Sequence, residues 1–173
     1  MEICFHGDYS LTAIGKAFST PKATVLTLMF YGCSSITSLN LNNVNTSLVT
    51  AGNMNRMLEG LANCNSISFG SNFRFKKTDN STIQILGTDN YYWKKDTTVK
   101  TSNGLENTTD VSGTWKRQHL IVFYQGNGTS TSGSTEIGRQ YIDAKTSASL
   151  STYSSTDRSC STRMEFLWME YYE

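Results

Sequence analysis

The stretch MFYGCSSITSLNL, Met29 to Leu41, decides how this chain is read. Its Gly-Cys-Ser-Ser knot is followed by Ile36, Leu39 and Leu41, spaced by three and then two residues. Neither a solvated loop nor an ordinary amphipathic helix accounts for that spacing. Leu39 and Leu41 keep the two-residue period of a strand with one face turned inward. Upstream, Thr20 can cap a helix whose first residue is Pro21, with Val25, Leu26, Met29 and Phe30 following at helical spacing. Downstream, Thr50 or Asn53 can cap a second helix carrying Met54, Met57, Leu58 and Leu61. Gly32 and Gly60 stand where each helix would stop. The knot is then a corner between a helix and a strand.

The same pattern recurs along the chain. FHGDYSLTAI aligns with FYGCSSITSL at an offset of 25, matching Phe5, Gly7, Ser10, Leu11, Thr12 and Ile14 to Phe30, Gly32, Ser35, Ile36, Thr37 and Leu39. A degenerate third copy, MLEGLANCNSISF, repeats Met29, Gly32, Cys33, Ser35 and Ile36 as Met57, Gly60, Cys64, Ser66 and Ile67, with an insertion before the cysteine. Periods in the twenties belong to coils built from a strand and a helical segment, each unable to bury its apolar face alone. Leu11, Ile36 and Ile67 are therefore expected one above another in a shared interior, with Leu39 and Leu41 beside them.

MFYGCSSITSLNLNNVNTSLVT resembles the bacterial BspA-like leucine-rich repeat, whose units read approximately Met-Phe-x-Gly-Cys-Ser-Ser-Leu-x-x-Leu-x-Leu-Ser-x-Phe-x-Thr-Ser-x-Val-Thr. Leu39, Leu41, Val44, Thr46, Ser47, Val49 and Thr50 fall on that pattern. YYWKKDTTVKTSNGLENTTDVSGTWKRQ, with Trp93 and Trp115 around a polar hairpin, resembles the ending of such arrays. The resemblance covers residues 5 to 118. It implies a mixed α/β fold, with a leucine-rich-repeat solenoid of about three coils over 1–77 and a terminating β segment over 78–118; the strand-like HLIVFY and the apolar end of the chain, outside the resemblance, point to a mostly-β C-terminal module or interface tail over 119–173. For the family it implies surface display, adhesion or ligand binding without catalysis. This array begins almost mid-repeat with no N-terminal cap, so further repeats or another subunit should cover its first coil.

Composition narrows the partners. Fifteen basic and 14 acidic side chains leave a net charge of +1, so no electrostatic footprint for nucleic acid or anionic membrane exists. Ser, Thr and Asn number 22, 23 and 14, a polar, low-charge make-up common to secreted, cell-surface and virion proteins. No run approaches the roughly 20 apolar residues of a membrane span. MEICFHGDYS lacks the regions of a secretory signal, so export would rely on a signal elsewhere or on a particle.

Beyond residue 70, SNFRF, TIQIL, YYW and HLIVFY read as strands, GTSTSGSTEIG and SLSTYSSTDRSCSTR as polar loops, and MEFLWMEYYE as a segment demanding burial. Cys33 and Cys64 occupy equivalent corners, where a buried cysteine column is favoured over a disulfide. Cys4 and Cys160 complete a set too sparse for a disulfide framework. His6 and His119 have no ligand or triad partner at useful spacing, and no Gly-x-Ser-x-Gly elbow occurs, so no cofactor, metal or catalytic role is expected. Four Asn-x-Ser/Thr sequons, at Asn45, Asn80, Asn107 and Asn127, match what this composition yields by chance. Tyr91, Tyr92 and Trp93 form one aromatic cluster, and Trp168, Tyr171 and Tyr172 another. Tyr92 and Trp93 are the expected exposed patch for a glycan or protein receptor. The leading expectation is a non-catalytic extracellular recognition or adhesion module of a bacterial surface protein. A phage tail-fibre or head-fibre component, assembled as a symmetric oligomer, is the second reading, and an enzyme with a cryptic site the third.

Overall fold

The computed structural model describes residues 4–77, 84–87, 91–126, 135–143 and 161–165. They belong to two compact units, Met1–Arg117 and Gln118–Glu173. In the first unit, strands β1 (Ser38–Leu41) and β2 (Ser66–Phe69) pair in parallel. β3 (Tyr92–Lys95) and β4 (Thr98–Thr101) form an antiparallel hairpin. The helix α1 (Ser102–Glu106) follows, with Thr101 as N-cap accepting from the Gly104 amide at 3.1 Å. β5 (Gly113–Gly126) begins by pairing antiparallel with β2, from Phe69↔Gly113 to Ser66↔Lys116. The resulting strand order is β1-β2-β5-β3-β4.

This corrects the expected leucine-rich-repeat solenoid. The described residues form an open mixed sheet with almost no helix, α1 being only five residues long. Both segments expected as helices, following Thr20 and Thr50, are successions of turns. Their hydrogen bonds give the reason. Met29, Tyr31, Cys33 and Ile36 amides bond locally to the carbonyls of Leu26, Leu28, Phe30 and Cys33. The alternate amides of Leu26, Leu28, Phe30 and Gly32 instead bond outward to Asn53, Asn55, Met57 and Glu59 carbonyls, at 2.7 to 3.1 Å. Leu28 (φ 57°) and Gly32 (φ 72°) adopt left-handed conformations that interrupt any helix. Apolar residues three apart face inward in consecutive turns just as in a helix, so the periodicity alone does not separate the two.

The internal similarity survives as stacked backbone, with a different register. β1 pairs Leu39 with Ile67, a spacing of 28, and the same spacing relates left-handed Leu28 to Arg56 and Gly32 to Gly60. There is thus no insertion before Cys64. Ile67 is the counterpart of Leu39 rather than of Ile36, whose place Cys64 takes, and Cys33 corresponds to Leu61. The expected Leu11–Ile36–Ile67 column is therefore broken at its third member. Cys33 and Cys64 are both buried free thiols. Cys33 Sγ donates to Phe5 O at 2.8 Å and Cys64 Sγ to Ser66 O at 3.3 Å.

The core of the first unit runs through these turns. Leu26, Met29, Phe30, Ile36, Leu41, Val44, Met54, Met57, Ile67 and Phe73 are fully buried. Burial of each such side chain stabilises by about 2 kcal/mol. Two threonines sit among them with their hydroxyls satisfied. Thr20 Oγ1 accepts from the Asn45 amide at 3.2 Å, and Thr46 Oγ1 accepts from the Arg74 amide at 2.8 Å while donating to Arg74 O at 3.0 Å.

Other expectations divide. Within SNFRF the described backbone forms no strand, and only residues 84–86 of TIQIL are described, also without strand. HLIVFY lies inside β5. In the second unit the later part of β5 pairs antiparallel with β6 (Thr135–Asp143) and β7 (Ser161–Glu165). GTSTSGSTEIG is consequently not all loop, since Thr135 opens β6. Cys160, Asn80, Asn127, Trp168, Tyr171 and Tyr172 lie outside the described residues.

Candidate functional site

Tyr92 and Trp93, the expected exposed patch, do not form one. Trp93 is 4% exposed, with its indole Nε1 donating to Ser102 Oγ at 3.1 Å. Tyr92 is half-buried on β3. Alternation explains this: in a strand packed on one face, adjacent residues point to opposite sides, and Trp93 takes the inner side. Trp115 is buried as well, its Nε1 donating to Val111 O at 2.8 Å. Tyr91 lies under the Arg117 guanidinium, 4.4 Å from the ring centre. A void of ≈ 10 Å³ between Leu58, Leu61, Ile67, Leu86, Tyr91 and Trp93 has room for one water and no ligand. Among the described residues, no group of three or more His, Cys, Asp or Glu side chains could hold a metal, and no helix is long and apolar enough to cross a membrane.

The distinctive feature is instead the pair of ends of the stacked turns. Along one face, each tier passes its N–H groups to the next with one polarity. Phe5 and Gly7 donate to Met29 O and Tyr31 O at 3.0 and 2.7 Å. Phe30 and Gly32 donate to Met57 O and Glu59 O, and Leu58 donates to Ile85 O at 2.8 Å. The last tier must therefore offer donors, and a carboxylate takes them. Glu106 Oε1 accepts from the Ile85 and Leu86 amides at 2.8 and 2.6 Å. Glu106 is buried, and its Oε2 lies 3.5 Å from Lys77 Nζ, which also donates to Asn103 Oδ1 at 2.6 Å. Burial raises the Glu106 carboxyl above the ordinary glutamate range, against the opposing pull of the Leu86 and Ile85 amides and the Lys77 charge. This end is closed.

Among the described residues, the first tier, residues 4–20, has no tier beyond it and is open on that side. By the 25-residue alignment, Cys4 and His6 correspond to Met29 and Tyr31, whose carbonyls accept from the preceding tier. Among the described residues nothing donates to Cys4 O or His6 O. The side chains agree with the backbone. Phe5, Leu11, Ile14 and Phe18 pack against the core yet stay half-exposed, whereas Phe30, Ile36 and Leu39, counterparts of the first three, are buried. Completing the burial of each would stabilise by on the order of 1 kcal/mol.

Glycines mark the same asymmetry. A Cβ added at Gly60 would meet Gly32 Cα at 3.1 Å, and one at Gly32 would meet Gly7 Cα at 3.7 Å. One added at Gly7 would meet nothing within 4 Å.

The open tier is nonetheless held firmly. The Phe5 ring stacks on Phe30 at 5.2 Å and 6°, and Phe18 meets both rings edge-on at 5.9 Å. Asp8 Oδ1 accepts from Ser10 Oγ, Ser10 N and Leu11 N at 2.7 to 3.1 Å, and the Ser10 bonds hold its carboxyl below the usual range. Asn43 Nδ2 donates to Lys16 O at 2.9 Å, and Ser35 Oγ donates to Tyr9 O. On the flank His6 stacks on Tyr31 at 5.1 Å, and the Arg56 guanidinium lies 4.7 Å from the Tyr31 ring while pairing with Glu59. Tyr9, beside Asp8, is 71% exposed.

No protein-family model, curated protein or solved structure matches the chain. Glu106 left no mark in the sequence, because nothing around Ser-Asn-Gly-Leu-Glu distinguishes a buried carboxylate from a solvated one.

Proposed function

We propose that this chain is a non-catalytic recognition module of an extracellular or surface-displayed protein, which holds a macromolecular partner against the open end formed by residues 4–20. The observation that carries the reading is the contrast between the two ends: one is sealed by Glu106, while the other leaves half-exposed Phe5, Leu11, Ile14 and Phe18 beside the Cys4 and His6 carbonyls, to which no described residue donates. Contiguous apolar surface beside unmet hydrogen-bonding groups is what a docking partner removes from water. The hydroxyl- and amide-rich, nearly neutral composition supports display outside the cell.

The test is adherence of beads coated with the full chain to bacterial and host-cell surfaces, compared with Leu11→Asp and Ile14→Asp variants whose folding is checked by circular dichroism. Adherence that both variants abolish supports the reading. Absence of adherence, or adherence that the variants leave unchanged, refutes it.

A further inference from the structure

We infer, resting on the recognition reading above, that the occupant of the open end is a turn-forming polypeptide segment of the aromatic-x-Gly type, which adds one more tier by donating its N–H groups to Cys4 O and His6 O.

Hydrogen-bond polarity selects this partner. Along the face of Phe5 and Gly7, Phe30 and Gly32, and Leu58, an earlier tier donates and the next accepts, so the rim at Cys4 and His6 presents carbonyl oxygens; on the strand face the direction also runs back, Asn65 N donating to Thr37 O at 2.9 Å. A second copy fits in neither orientation. Open end against open end would set carbonyls against carbonyls. Open end against closed end fails because the Ile85 and Leu86 amides are already held by Glu106. A polypeptide segment with free amides complements the rim, a mode of recognition in which main-chain bonds supply affinity and side-chain pockets supply selectivity.

Packing selects its sequence. The tiers at Gly32 and Gly60 each lie against a glycine of the preceding tier, with Cβ positions 3.7 and 3.1 Å from that glycine's Cα. The vacant position at Gly7 therefore calls for a glycine in the incoming segment. Its aromatic neighbour two residues earlier would stack on Phe5 as Phe5 stacks on Phe30. Apolar residues further along would cover Leu11 and Ile14, as those residues lie beside the tier of Ile36 and Leu39. Such apolar demand favours a peptide over a glycan, whose hydroxyls could donate to the same carbonyls.

The test titrates a synthetic peptide copying residues 26–41, with Cys33→Ser to prevent oxidation, into isotope-labelled full-length protein observed by NMR. The expected result is saturable shifts confined to residues 4–20. N-methylation of the peptide at the nitrogens of its Phe30 and Gly32 should weaken binding about tenfold for each lost bond. Ile14→Asp should weaken it comparably, and Gly7→Ala should do so by placing a methyl where the peptide glycine passes. Four outcomes overturn the proposal: no shifts at about 1 mM peptide, binding indifferent to N-methylation, saturation of the same residues by oligosaccharides but not peptide, or a dimer in light scattering that Ile14→Asp dissolves. Bead adherence that depends on Ile14 while the peptide fails would leave the recognition reading standing and remove only this one.

Discussion

Replacing Gly60 and Gly7 separately by alanine measures how closely the tiers are stacked. Both residues have positive φ, 78° and 67°. Each substitution therefore forces an L-residue into the left-handed region, at about 1 kcal/mol. What differs is the space. A methyl on Gly60 meets Gly32 Cα and N at 3.1 Å, backbone atoms held in place by the Gly32 bond to Glu59 O at 2.9 Å. Forcing that approach adds about 1–3 kcal/mol of overpacking. A methyl on Gly7 meets nothing within 4 Å. Gly7→Ala should thus cost about 1 kcal/mol and Gly60→Ala about 2–4 kcal/mol. Urea unfolding of the full chain, followed by circular dichroism and tryptophan fluorescence, would separate them. With slopes of roughly 1–3 kcal/mol per molar urea, a 2 kcal/mol difference moves the midpoint by about 1 M. Equal midpoints, or a larger loss at Gly7, would refute the stacking argument.

Two further perturbations probe the closed end and the interior. Glu106→Ala orphans the Ile85 and Leu86 amides, costing about 1–3 kcal/mol each, and hydrogen exchange at those amides should accelerate while the rest of the core stays protected. The folded state raises the Glu106 carboxyl above its ordinary value of 4.5, so it binds that proton more tightly than the unfolded chain does. The corresponding stability is complete below the ordinary value and is lost as pH rises through the raised one. Glu106→Gln keeps an acceptor without ionising, so its stability relative to the parent should improve as pH rises through that window; a flat difference contradicts the burial argument. Cys4 is exposed, while burial raises the Cys33 thiol and pushes Cys64 up to about 11. Iodoacetamide labelling of the native chain near pH 8, mapped by mass spectrometry, should mark Cys4 at least about tenfold faster than Cys33 or Cys64. Recovery of a Cys33–Cys64 disulfide would contradict the stacking register.

How much of this was legible in the sequence depends on the kind of signal. The offset of 25 between Phe5-x-Gly7 and Phe30-x-Gly32 is realised in backbone bonds, because a glycine needed for close approach and positive φ leaves a mark in any alignment. The helices expected after Thr20 and Thr50 failed because inward-facing residues every third position serve consecutive turns equally well, and only the left-handed conformations of Leu28 and Arg56, invisible in their side chains, separate the cases. Aligning Cys64 with Cys33 misplaced the third register, since matching residue types outweighed the constant spacing that backbone pairing imposes. Trp93 was misjudged because aromatic content does not reveal which side of β3 faces inward. The tier from Phe5 to Ile14 was legible through the same offset. Its hydrogen-bond polarity was not, because that property belongs to carbonyl directions rather than to residue types.

The one-way handoff of amides also separates length from termination. Splicing in another unit at the 28-residue spacing of β1 and β2 would change neither the carbonyl rim at Cys4 and His6 nor the carboxylate seal at Glu106.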